Sequence, residues 1–155
     1  MVTSAETRLV AAGIELPPAP APFGAYVPAV QTGNLLFLTG MLPTVGHEAK
    51  FLGRAGNELN AEQGRSAAHA AALNVLAVAR QYLGSLDKIS RVVRLGVYIA
   101  TAGDFSDHVT VADAASQLLR DILGEDKMSS RLVFGVQSLP LGVPVELEVI
   151  LEVSA

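Results

Sequence analysis

From Val143 to Val153 every second residue is apolar: Val143, Val145, Leu147, Val149, Leu151 and Val153. The positions between them read Pro144, Glu146, Glu148, Ile150 and Glu152. Successive side chains of a strand point to opposite faces, so this segment predicts one buried face and one polar face. A strand this long needs partner strands and a layer to cover its apolar side. The pattern recurs in residues 89–100, where Val93, Leu95, Val97 and Ile99 fall on one face, and in 131–137. In the latter, Leu132, Phe134 and Val136 alternate with Arg131, Val133, Gly135 and Gln137. The short "SLPLG" between the last two segments reads as a hairpin turn. It sets Arg131 opposite Glu146 or, in another register, Glu148 or Glu152.

The helices carry their own punctuation. Asn60 followed by Gln63 predicts a helix start, residues 68, 72, 75, 76, 79 and 83 form an apolar stripe, and Gly84 ends it. Asp107 is placed to cap a second helix that runs to Leu123 before Gly124. Thr3-Ser4-Ala5-Glu6 resembles a capping box for a short helix to about Ala12. The stretch "ELPPAPAPFGAYVP" carries five of the eight prolines, so it lies extended across the surface. Residues 26–31 and 35–39 read as strands around a Gly33-Asn34 turn, with a further short strand near 50–52. The order is β-β-α-β-α-β-β in one domain over 1–155, with an N-terminal helix and proline-rich arm over 1–22. The expected fold is α+β, with one sheet and two helices packed on one face.

Composition narrows the function. Half of the residues are hydrophobic and 17% are charged, which favours burial of apolar surface against further copies. The net charge is −4, and the 11 Lys and Arg residues are scattered singly, against binding to a nucleic-acid backbone. With no cysteine there is no thiolate nucleophile or thiolate metal site, in agreement with a cytoplasmic setting. No stretch is apolar enough for a membrane span, and "MVTSAETRLVAAG" lacks a signal-peptide pattern. His47, His69 and His108 lack ligand spacing and read as structural or solvated, so no metal is expected. What remains is Arg131 with the carboxylates of the last strand. Alternation alone allows a weak solvent-face ion pair. It also allows a guanidinium that forks onto a substrate carboxylate, with a glutamate holding water.

Three stretches resemble the reactive-intermediate deaminase (RidA/YjgF, L-PSP endoribonuclease-like) family, in its longer bacterial branch: "GAYVPAVQTGNLLFLTGMLP", "RVVRLGVYIATAGDF" and "SSRLVFGVQSLPLGVPVELEVILEV". The likeness spans about Pro20 to Val153. It implies a chorismate-mutase-like fold with a mixed sheet, a homotrimer, and clefts between adjacent subunits. There, small carboxylated enamines or imines such as 2-aminoacrylate are hydrolysed to 2-keto acids and ammonia without a cofactor. By the resemblance, Arg131 binds the substrate carboxylate, Glu146 positions or activates water, Tyr26 is the pocket tyrosine, and Thr39 and Gly40 line the cleft. Met41 stands where the family usually has Gln and Val133 where many members have Cys, so the pocket is more apolar. An asparagine usual on the second helix has Asp113 as one candidate equivalent. The alternative is a non-catalytic trimer that senses 2-keto acids or similar small anions. An RNA-cleaving role fits the acidic, patch-free sequence least.

Overall fold

The computed structural model describes residues 3–154; Met1, Val2 and Ala155, at the ends of the expected 1–155 domain, lie outside them. Five strands form one mixed sheet in the order β1-β2-β7-β5-β6: β1 (Ala29–Thr32), β2 (Leu35–Leu38), β5 (Ile89–Ala100), β6 (Ser130–Val136) and β7 (Val145–Val153). A small ribbon of β3 (Thr44–Val45) and β4 (Glu48–Ala49) stands apart. The short strand expected near 50–52 is replaced by this ribbon, in which Gly46 turns the chain at a φ of 63°.

The long apolar strand sits at the centre. Val145, Leu147, Val149, Leu151 and Val153 are all buried on the side packed by α2 (Ala61–Leu83), while α3 (His108–Leu123) packs along β5 and β6. On α2 the predicted capping box forms, with Asn60 and Gln63 exchanging side-chain and backbone bonds, and Gly84 closes the helix at a φ of 86°. Ala67, Ala68, Ala71 and Ala72 let α2 approach closely, and all four are fully buried. A third helix, α1 (Ala5–Ala11), lies outside the expected pair. Its Arg8 donates Nη1 hydrogen bonds to the Ile122 and Leu123 carbonyls at the end of α3. Ser4, not Thr3, caps α1, because Glu6 is committed elsewhere, to the Leu86 N–H and the Arg80 guanidinium. Asp107 stands at the start of α3 but makes no side-chain cap bond.

Two sheet expectations change. Residues 131–137 and 143–153 do not form a hairpin: β6 runs parallel to β5 at the sheet edge, and β7 pairs antiparallel with the other side of β5. Helix α3 supplies the crossover that parallel strands require. The segment after β6 passes over the end of β5, through a single 3-10 turn at Pro140–Gly142 in which Leu141 takes a φ of 61°. Within β5, register shifts between Ile89 and Arg91 and between Val92 and Arg94 make Val92 the buried residue and leave Val93 exposed. A bulge flips the faces upstream of it.

Asn74 interrupts the apolar run of α2 for a reason. It is 1% exposed, and its amide donates to the carbonyls of Leu42 and Thr44, both at 2.9 Å. These bonds fix the loop that follows Gly40. Asn74→Leu removes both donors and is expected to cost about 2–4 kcal/mol, read as a lower urea midpoint with an unchanged slope.

Candidate active site in two halves

The first half gathers on the sheet face away from the helices. Register places Glu146 beside Tyr98 on β5, and Tyr98 beside Phe134 on β6, with ring centroids 6.1 Å apart. The backbones of Met41 and Leu147 bond in both directions, at 2.8 and 2.9 Å, which seats Gly40 directly against the Glu146 side chain. A cleft of about 290 Å³ opens here, lined by Leu38, Gly40, Tyr98, Leu139, Glu146 and Glu148, among others. Glu146 is partly buried and makes no side-chain hydrogen bond or ion pair among the described residues. Burial without a cation pushes its carboxyl above the ordinary glutamate range.

Gly40 is required by space. A Cβ there would collide with Glu146 Oε2 and come within 3.0 Å of its Cδ. The carboxylate is the flexible end of its side chain and would move aside. Gly40→Ala is therefore expected to keep the fold while losing most of any Glu146-dependent activity, checked by turnover beside the melting temperature.

Tyr26 lies in a loop, because β1 begins only at Ala29, after Pro28. Its hydroxyl accepts the Phe23 N–H at 2.9 Å, and its ring is half exposed. Tyr26, Thr39, Gly40 and Met41 line a crevice of about 20 Å³ under the proline-rich arm, room for one water. The Met41 side chain itself is buried in the core. Stacking of Phe23 on His47, with centroids 4.3 Å apart, ties the arm to the β3–β4 turn.

The second half is on the other face. Leu95 pairs with both Arg131 and Val149, so Arg131 shares the helix side of the sheet with Val149. Glu146, three residues from Val149, is on the opposite side, and β5 lies between β6 and β7. Arg131 therefore faces none of the carboxylates considered for it. Glu148 lies 3.1 Å from Arg94 Nε, and Glu152 stands opposite Arg91. Instead, Arg131 Nη1 donates to Asp113 Oδ1 at 2.7 Å and to Ser116 Oγ at 3.0 Å, both from α3. Val133 follows on the same face of β6. Leu132 and Phe134, expected inside, are 41% and 49% exposed, because their side of β6 is the uncovered side of the sheet.

Ser116, Tyr98 and Leu139 join the site although no strand or helix pattern by itself singles them out, and Asp113 has only its candidate equivalence on the second helix to mark it. The signal for the α3 pair was present: residues three apart on a helix share a face. It needed the knowledge that α3 packs beside β6.

The model of a family described as YjgF/chorismate mutase-like, putative endoribonuclease, matches residues 6–151. The chain is 36% identical over 143 residues to protein TCP17 of Trypanosoma cruzi, covering 92% of this chain and 89% of that one. It is 30% identical over 135 residues to a 2-iminobutanoate/2-iminopropanoate deaminase of Dermatophagoides farinae, covering 87% and 91%. The crystal structure of a putative endoribonuclease from Shewanella oneidensis superposes with a TM-score of 0.93 at 30% identity, covering 97% of this chain and 100% of that one.

Proposed function

The chain belongs to the YjgF/chorismate mutase-like (RidA) family, and we propose from this premise that it hydrolyses small carboxylated enamines or imines to 2-keto acids and ammonia. The observation that carries this reading is Glu146: a partly buried carboxylate with no hydrogen-bond or ion-pair partner among the described residues, facing a cleft large enough for a small metabolite. A carboxylate held this way is a suitable acceptor for a water proton.

Arg131 and Glu146 lie on opposite faces of one chain, so the proposed site draws them from two neighbouring copies. The uncovered sheet face supports assembly: Val30, Phe37, Leu132 and Phe134 all lie exposed on it. A homotrimer with three such clefts satisfies both requirements. Of Arg131, only Nη1 is engaged among the described residues. The Nε–Nη2 edge is free to fork onto a carboxylate. That anchor holds the imine carbon near a water on Glu146. As water oxygen bonds to carbon, Glu146 takes its proton and the C=N double bond becomes single. The proton passes to nitrogen. The remaining hydroxyl proton then passes through Glu146 to the nitrogen as the C–N bond breaks, giving a keto acid and ammonia. Imine carbon is already electrophilic, so orientation supplies much of what the reaction needs.

The test is ammonia release from 2-aminoacrylate or 2-iminobutanoate generated in situ. Release well above the uncatalysed rate, lost in Arg131→Ala, is the expected result. Keto-acid binding that depends on Arg131, with no turnover of any imine, would instead establish the sensing role.

A further inference from the structure

The Arg131 guanidinium is not a bare cation. Asp113 Oδ1 sits 2.7 Å from its Nη1, and Ser116 Oγ takes the second Nη1 hydrogen at 3.0 Å. The three side chains face one another across the groove between α3 and the edge strand β6. Arg131 and Asp113 are 24% and 42% exposed, so the pair is partly desolvated but open to a ligand. Asp113 Oδ2 makes no hydrogen bond among the described residues. The groove therefore presents two free features: a two-donor guanidinium edge and an anionic acceptor beside it.

Charge counting distinguishes the ligands such a pair accepts. Arg131 and Asp113 together are neutral. A 2-keto acid adds a carboxylate and no cation, so two negative groups then share one guanidinium. A ligand with a carboxylate and a cationic nitrogen on the adjacent carbon adds no net charge and offers its N–H groups to Asp113. Repulsion of the wrong partner is as much a source of selectivity as attraction of the right one.

We propose that Asp113 is a specificity-determining residue which makes the Arg131 site selective for zwitterions, α-iminio or α-ammonio carboxylates, over 2-keto acids. This rests on Arg131 as the carboxylate anchor. It implies that the charged substrate is held and that the keto-acid product, which has lost the cationic nitrogen, is released readily.

The experiment is calorimetry with two ligands of one carbon skeleton, L-2-aminobutyrate and 2-oxobutyrate, on wild type, Asp113→Asn, Asp113→Glu and Arg131→Ala, each checked for fold by melting temperature. Wild type is expected to bind the amino acid more tightly. Asp113→Asn keeps an oxygen for Nη1 but removes the charge, and should shift the ratio of the two affinities by about tenfold toward the keto acid. Asp113→Glu restores the preference. An Asn variant that weakens both ligands equally, or a wild type that prefers the keto acid, overturns the proposal while leaving the anchor intact. Undiminished binding of both ligands in Arg131→Ala would show instead that the anchor reading failed, and the proposal with it.

Discussion

Arg131→Ala is expected to lower kcat/KM for a carboxylated imine by about 10²–10⁴-fold, with the fold intact. Two charge-assisted hydrogen bonds from the Nε–Nη2 edge are worth about 1.5–3 kcal/mol each, and each 1.36 kcal/mol is a factor of ten in rate. The protein itself depends on Arg131 much less. Its ion pair with Asp113 is partly exposed on both sides, and such pairs contribute little to stability. Arg131→Lys should recover only a small part of the loss, since an ammonium cannot present two parallel donors to a carboxylate. Steady-state kinetics on in-situ generated imine, with thermal melts alongside, separate the two effects.

Glu146→Gln is expected to remove about 10²–10⁴-fold of the turnover, the usual contribution of a positioned acid–base group. Its pH signature has a definite sign. Burial raises the Glu146 carboxyl above its ordinary range. Turnover in the wild type should therefore climb with pH through a midpoint above that of an ordinary glutamate, and the Gln variant should lose this limb. Stability moves oppositely. A carboxyl whose folded value is raised binds its proton more tightly when folded. It is neutral in both states at low pH. It penalises folding as pH rises from the unfolded value through the folded one, and the full cost persists above. Glu146→Gln should accordingly melt higher than wild type at neutral pH, with the difference vanishing in acid. A residue that costs stability where it is ionised is one kept for function.

How far the sequence reached depends on whether local chemistry or chain routing decided the matter. The α2 helix was readable from end to end, because Asn60, Gln63 and Gly84 are local signals and the structure uses each of them. The hairpin of β1 and β2 around Gly33 and the one-sided burial of β7 were readable for the same reason. Strand order was not. A short turn between residues 137 and 143 suggested that β6 and β7 pair, yet the chain crosses the end of β5 and β7 enters the sheet on its far side. Alternation counts residues within a strand and is silent about which strand lies next door. The same limit hid the partners of Arg131. Periodicity offered it Glu146, Glu148 and Glu152, while the carboxylate that holds it comes from a helix 18 positions earlier. Val93 was misassigned because a bulge leaves no mark in a two-residue period.

The resemblance named Glu146 and Arg131 together, and the fold separates them onto two faces of one sheet. That separation turns a list of site residues into a structural claim: each cleft takes Arg131 from one copy and Glu146 from its neighbour. The claim has a direct test. Arg131→Ala and Glu146→Gln chains, each inactive alone, are co-expressed and the mixed assemblies assayed for ammonia release from 2-aminoacrylate. A shared site predicts recovery to about a quarter of wild-type activity, the fraction of interfaces that draw an intact residue from each side in a cyclic assembly. Mixed assemblies that form but show no activity beyond the single variants would contradict it.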